Sequence, residues 1–362
     1  MNKLSSIVRN FAPSWFATVM GTGILAITSF YYAGRWAWLT DLSTLLLFFN
    51  ILLFGVLVVP WALRFVLYRK ESLKDLRDPV IGQFYATMPI ACLVLAADLL
   101  IIGNRHLDNG LSVVLAKGFW VSGVFISLFL AIAIPLLNFN NREVRIEQVH
   151  PAWFMPPVSL IVIPVPGAKL ISYWPDGWQQ AILVFNYVSW SSGFFLFLFL
   201  EAIVLYRLIC RPPLPGTLIP TVWINLGPIG VGAIALFSLS AAGTPFLGLQ
   251  VESVFYLLAL SLWGFGFWWF ISALSLTIYS IWRNSLPFSL AWWAFTFPLG
   301  AYTGATYLIG SLLNSPAINL YGFICYLLLL TIWLVVMVRT VVGLFKMEFF
   351  IKPGTGNTSH PA

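Results

Sequence analysis

The side chains that could do chemistry in this chain are few, and they stand apart. The 362 residues include three histidines and three cysteines. His106, His150 and His360 have no acid or cysteine at ligand spacing, so no metal site is expected. Cys92, Cys210 and Cys325 show neither pairing nor metal spacing and read as small buried hydrophobes. No Ser/His/Asp or Cys/His arrangement suggests nucleophilic chemistry, and no Gly-x-x-x-x-Gly-Lys-Ser/Thr loop is present to cradle nucleotide phosphates. The sequence therefore points away from an enzyme, a cofactor-dependent protein or an ATP-driven machine. Two acids, Asp98 and Glu201, lie in otherwise apolar material, where an ionisable group either pairs with a base or serves a proton-linked mechanism. Glu201, on an outer segment, reads as structural.

What remains is the chemistry of selective passage. The stretch from Ala291 to Tyr302 lies in an apolar run long enough to cross a bilayer, and Pro298 and Gly300 interrupt it. A helix tolerates such an interruption at membrane depth only where the freed backbone groups meet protein or a watery cavity. Similar stretches recur along the chain, and their interiors carry no Asp, Glu, Lys, Arg or His. A pathway lined by them is electrically neutral, yet helix N-termini bring positive dipole ends to it. Thr18, Thr22, Thr87, Asn225, Thr296 and Thr303 add candidate donors. Such a lining favours weakly hydrated monovalent anions.

The elements that position these groups are membrane helices. The chain is 60% hydrophobic and 9% charged, against roughly 25% charged in soluble domains. Ten apolar segments stand at about 12–33, 38–67, 82–102, 111–137, 151–171, 178–209, 219–242, 250–282, 288–312 and 316–346. A helix crosses the hydrocarbon core in about 20 residues. The even segments exceed that length, whereas the odd ones are shorter and richer in Pro and Gly. The first is a retained helix, because no small-residue cleavage pattern follows it. The net charge of +7 reflects loop placement and implies no nucleic-acid partner. With both termini inside, Arg35, Arg105, Lys117 and Lys169 face outward and the other fifteen of 19 basic residues face inward. A multi-pass protein of the cell membrane with cytoplasmic termini is expected: one pore domain over residues 1–350 and a flexible cytoplasmic tail over 351–362.

The odd segments share a pattern: an aromatic residue five positions before a break. Phe16 precedes Gly21, Phe84 precedes Pro89, Trp153 precedes Val158 beside Pro156 and Pro157, Trp223 precedes Pro228, and Trp293 precedes Pro298. Successive aromatics are 68, 69, 70 and 70 residues apart. Each repeat is then one helical hairpin. Five hairpins can close into a quasi-five-fold ring, an all-α membrane fold of ten helices with the broken odd ones lining a central pore. The expected lining is Phe16, Gly21, Thr22, Phe84, Thr87, Pro89, Trp153, Pro157, Trp223, Asn225, Pro228, Trp293, Pro298 and Thr303. The residue just before the break is Met20, Met88, Pro157, Gly227 and Phe297 in turn. Only Phe297 brings a ring to that position, and a single ring from one side suffices to plug a narrow pore.

Two of these stretches carry a family likeness. The run from Phe11 to Ala26, FAPSWFATVMGTGILA, resembles the first helix of the tellurite-resistance/dicarboxylate transporter family, and WWAFTFPLG from Trp292 to Gly300 resembles its ninth. That family includes TehA-type proteins, plant slow anion channels, sulfite efflux pumps and malate permeases. The resemblance implies five kinked inner helices ringed by five outer ones, a homotrimer with one pore per protomer, and a phenylalanine on the ninth helix occluding the pore. Phe297 is the matching position, with Phe295 its competitor. The expected function is gated passage of small anions through a neutral pore in membrane lipid. The alternative is a secondary transporter or efflux protein for malate-type dicarboxylates or sulfite- and tellurite-type anions, proton-linked or not.

Overall fold

A computed structural model describes residues 3–248 and 250–350, so the expected tail at 351–362 lies outside the described residues. Every regular element among those residues is helical. The long helices are α1 (Ala17–Tyr32), α2 (Trp38–Leu67), α3 (Thr87–Ile101), α4 (Asn109–Phe139), α5 (Met155–Val162, resuming after Ile163 as Pro164–Leu170), α6 (Asp176–Cys210), α7 (Leu226–Leu247), α8 (Gln250–Trp282), α9 (Thr296–Leu312) and α10 (Pro316–Phe345). Short helices Lys3–Arg9 and Arg69–Arg77 lie at the end of the bundle that carries both chain ends, the termini side.

Among the described residues, eight helical stretches are long and apolar enough to cross a bilayer, which makes this a multi-pass membrane protein. The eight do not include α1 or α9, although the sequence suggests ten spans. The physical reason is their composition. Thr18, Gly21, Thr22 and Gly23 in α1, and Thr296, Gly300, Thr303 and Gly304 in α9, lower their apolarity and are all buried. Such residues suit close helix contacts rather than lipid.

Burial separates two layers. The spans containing α3, α5 and α7 are 89% buried, whereas those of α2, α4, α6, α8 and α10 are between 22% and 39% buried. The even helices turn large apolar side chains outward, among them Phe125, Phe199, Ile209 and Phe345. An exposed apolar surface of this extent marks a membrane-facing or subunit-facing side. Among the inner helices, α1 packs on α3, α3 on α5, α5 on α7, α7 on α9, and α9 on α1. Each outer helix packs on the inner helix before it in the chain and on the one after, with α10 returning to α1.

Two glycines permit the closest approaches. A Cβ at Gly230 of α7 would strike the α9 backbone at Ala301 and Tyr302. One at Gly193 of α6 would sit 2.6 Å from the Pro157 carbonyl oxygen of α5. Gly230→Ala must therefore push α7 and α9 apart, at a cost of about 1–3 kcal/mol from overpacking. The expected result is a lowered thermal midpoint for the detergent-purified protein, with Gly230→Leu failing to fold. An unchanged midpoint for both variants would mean that the two helices do not meet at this register.

Candidate functional site

Each inner helix begins in the same way. A 3-10 segment comes first, at Pro13–Phe16, Gly82–Ala86, Pro151–Phe154, Gly216–Asn225 and Leu290–Phe295, and the α-helix follows directly. The aromatic-plus-break pattern falls on these junctions. Pro89, Pro228 and Pro298 are each the third residue of their α-helix, and Pro156 and Pro157 are the second and third of α5. Proline is tolerated there because the first turn of a helix has N–H groups without intrahelical acceptors. The interruption is thus a change of helical pitch at the entrance to each helix.

At the junction, hydroxyls close the carbonyls that the change of pitch leaves free. Thr18 Oγ1 donates to the Trp15 carbonyl at 2.7 Å, Ser159 Oγ to Pro156 at 2.7 Å and Thr296 Oγ1 to Trp293 at 2.8 Å. Thr87 Oγ1 lies 2.7 Å from both the Phe84 and the Pro13 carbonyl oxygens. Further along α9, Thr303 Oγ1 donates to the Leu299 carbonyl at 2.8 Å. A hydroxyl has one proton to donate. Thr18, Thr296 and Thr303 therefore spend theirs on the backbone of their own helix and Thr87 spends its own on the Phe84 or the Pro13 carbonyl, so all four present only lone pairs elsewhere. Thr22 Oγ1 accepts from Trp333 Nε1 of α10 at 3.1 Å. Asn225 is the exception: it is fully buried, and neither of its amide atoms has a partner among the described residues.

A narrow cavity of about 30 Å³ sits where the five junctions converge, room for one or two water molecules. Its wall takes Met20 from α1, Thr87 from α3, Val158 from α5, Gly227 from α7, and Phe297 with Pro298 from α9. No charged side chain lines it. Five α-helices thus direct their first turns at one small apolar space. Phe84 and Trp293 also reach it.

The other candidates lie elsewhere, and Trp293 is held from behind by an outer helix. Phe16 is packed against the rings of Phe54 and Trp61 on α2, with centroids 5.7 and 6.1 Å away. Trp223 Nε1 donates to Thr277 Oγ1 of α8 at 2.9 Å, and Trp293 Nε1 to Thr340 Oγ1 of α10 at 3.0 Å. At these three repeats the aromatic ties an inner helix to an outer one. Trp153 and Pro157 border a separate apolar space shared with Ile134 of α4 and Leu196 of α6. Gly21 is pressed against Thr296 and Trp293, the Pro89 carbonyl faces Gly123 of α4, and Pro228 is buried in the first turn of α7. Phe295 and Phe297, two residues apart, diverge. The Phe295 ring stands edge-on to Trp223 at 5.6 Å and Trp292 at 5.5 Å and borders an apolar groove with Leu274 and Val336. Met155, Ile224 and Leu290 line the narrow cavity without any signal in the aromatic pattern. Met20 and Gly227 do have one, since each directly precedes a break.

The two membrane acids find no cation. Asp98 Oδ2 accepts from Asn50 Nδ2 at 3.2 Å, while its Oδ1 and both oxygens of Glu201 lack a partner among the described residues. On the termini side, a mixed-charge cavity of about 500 Å³ holds Arg9, Arg64, Glu71, Lys74 and Asp75. Arg64 pairs with Asp75, and Arg9 pairs with Glu71 at 3.1 Å. A backbone hydrogen bond and then Arg9 hold the Glu71 carboxyl below the usual range. At the far end, a second cavity of about 460 Å³ is bordered by Tyr31, Ile101, Lys169, Ser238 and Leu308, again one wall from each inner helix.

Comparison with known proteins is consistent across the chain. A profile described as voltage-dependent anion channel matches residues 10–341. An uncharacterized transporter of Methanocaldococcus jannaschii is 39% identical over 344 residues, 95% of this chain and 96% of that protein. A sulfite efflux pump of Arthroderma benhamiae is 26% identical over 354 residues, 95% and 93% of the two chains. A malic acid transport protein of Schizosaccharomyces pombe is 24% identical over 374 residues, 99% and 84%.

The aromatic ties make a direct prediction. Thr340→Val removes the acceptor of Trp293 Nε1 and strands a buried donor, which should cost about 1–3 kcal/mol of stability. Trp293→Phe in the Thr340→Val background should recover part of that loss, as read by thermal unfolding of all four members of the cycle. Additive effects would mean that the two side chains do not interact.

Proposed function

The chain belongs to the voltage-dependent anion channel family, and we propose that it forms a gated, neutral pore for small anions, closed by Phe297. The observation that carries this reading is the narrow cavity in which Phe297 meets a first-turn residue from every other inner helix. The cycle of contacts from α1 through α9 and back supports a quasi-five-fold ring of five hairpins, ten helices in one domain over residues 1–350. Anion preference follows from the same arrangement. Five helix N-termini converge on a space without charged side chains, and each brings the positive end of its dipole. An apolar ring in so narrow a space stops ions by steric block and dewetting. Phe295, turned toward α8 and α10, is poorly placed to do this. The Lys and Arg distribution supports cytoplasmic termini in the cell membrane. The family likeness supports a homotrimer with one pore per protomer.

A carrier is the second reading, favoured by Asp98 and Glu201, two buried acids without cations. Groups of that kind inside a membrane serve proton-linked transport in many proteins. The names of the relatives, sulfite efflux pump and malic acid transport protein, suit a carrier of small sulfur or dicarboxylate anions.

Planar-bilayer recording of purified protein separates these readings. Phe297→Ala should raise anion conductance about tenfold or more, as removing a barrier of about 1.4 kcal/mol would do. Phe295→Ala should leave it unchanged. Conductance in Phe295→Ala alone would move the plug to that residue, and silence in both would refute a phenylalanine plug. Saturable, pH-driven uptake without unitary currents would establish the carrier. A second experiment tests orientation: Lys70→Cys and Lys169→Cys should be labelled from opposite sides of the membrane, and labelling from one side would overturn the topology.

A further inference from the structure

We infer that the far-end cavity is an anion-capture site centred on the Lys169 ammonium, an inference that rests on the pathway reading above. Four cations stand at this end of the bundle, and three are committed to aromatic rings. Arg105 lies over Phe30 at 4.6 Å, Arg35 over Trp36 at 5.2 Å, and Lys117 over Trp174 at 4.6 Å. Lys117 also donates to the Tyr173 carbonyl. Lys169 differs from all three. It is exposed, and among the described residues it has no acid within ion-pair distance and no ring beneath it. Among the described residues it is also the one charged side chain in the wall of the 460 Å³ cavity.

The nearby acids do not neutralise it. Asp98 is buried against Asn50, Asp176 Oδ1 accepts from Gln179 Nε2 at 3.1 Å, and Glu252 Oε1 accepts from Thr244 Oγ1 at 2.9 Å. None of the three borders the cavity. An unpaired cation in a recess with low-dielectric walls focuses its field into that recess. Its volume of about 460 Å³ is room for a small anion with several waters, at about 30 Å³ for each water. Tyr31 and Leu308 of this wall lie eleven residues beyond Met20 and Phe297 of the narrow cavity, roughly 16 Å along each helix. Lys169 therefore raises the local anion concentration at the mouth and takes no part in closing the pore. The chemistry selected is a small hydrated anion, inorganic or carboxylate.

The test uses full-length protein in vesicles, with chloride as the probe. In the Phe297→Ala background, Lys169→Gln should raise the half-saturating chloride concentration on the far side about tenfold at low salt, the effect of one charge a few ångströms away at intermediate dielectric. The shift should shrink at about 0.5 M salt, where screening is strong, and Lys169→Arg should retain the original value. Cys92 and Cys325 are buried as expected, but Cys210, at the end of α6, is exposed and not a buried hydrophobe. In Lys169→Cys with Cys210→Ser, which removes that exposed thiol, a trimethylammonium thiol reagent should restore capture and a sulfonate reagent should not. Independently of conduction, chloride should protect Lys169 from trinitrobenzenesulfonate, read by peptide mass spectrometry, and bulky lactobionate at equal ionic strength should not. Currents with unchanged saturation in Lys169→Gln and no chloride protection would overturn the capture site and leave the pathway standing. Chloride protection with no current in any variant would refute the pathway and leave the binding site.

Discussion

A peptide group that departs from α-helical pitch inside a bilayer must find its hydrogen-bond partner within the protein, because lipid offers none. That constraint organises this molecule. The five inner helices change from 3-10 to α pitch at equivalent positions, and at four of them a hydroxyl donates to a carbonyl of the junction. Prolines gather at the first α-helical turn, where their missing N–H costs least. The indoles of Trp223 and Trp293 then fasten two of these junctions to threonines on outer helices. With these hydroxyls and indoles bonded along the backbone and outward, and Asn225 the exception, the side turned to the narrow cavity is left apolar and, among the described residues, uncharged.

The distribution of charge complements that arrangement. Apart from the buried acids Asp98 and Glu201, charged side chains gather toward the two ends, with ion pairs among Arg9, Arg64, Glu71 and Asp75 on the termini side and three ring-bound cations with Lys169 at the far end. In the proposed pathway the attraction for an anion between them comes from helix ends. A partial charge of that kind is spread over several peptide groups. It lowers the cost of entry without holding an ion so tightly that it cannot leave, a requirement for rapid passage.

Much of this was legible in the sequence. The Gly, Pro and aromatic repeat marks the five 3-10-to-α junctions, because a change of pitch needs those residue types. The alternation of longer even segments with Pro- and Gly-rich odd ones marks the outer and inner layers, because only lipid-facing helices must be apolar over a long surface. The likeness of the runs at Phe11 and Trp292 to a transporter family agrees with the profile over residues 10–341. Other features were hidden. Composition names a threonine as a donor but does not tell where its proton goes, and Thr18, Thr87, Thr296 and Thr303 give theirs to the backbone. The recurrence of Phe16, Trp223 and Trp293 reads equally as lining or as a tie to an outer helix; contacts with α2 and α8 select the tie for Phe16 and Trp223, whereas Trp293 both borders the narrow cavity and is tied to α10. Lys169 looked like one of four loop cations, because the rings that hold the other three come from other parts of the fold or from neighbouring residues.

The most direct test of the central claim, that an anion pathway runs through the junctions of the inner helices, is state-dependent thiol access. Met20→Cys and Val158→Cys would be introduced singly into Phe297→Ala with Cys210→Ser, and currents recorded while small charged thiol reagents are applied. Both residues border the narrow cavity from helices other than α9. Rapid, irreversible block is expected at both positions and none at Thr277→Cys, which borders the groove beside Phe295. Current through Phe297→Ala that is untouched at Met20→Cys and Val158→Cys, or that is blocked at Thr277→Cys instead, would place the pathway outside the inner helices.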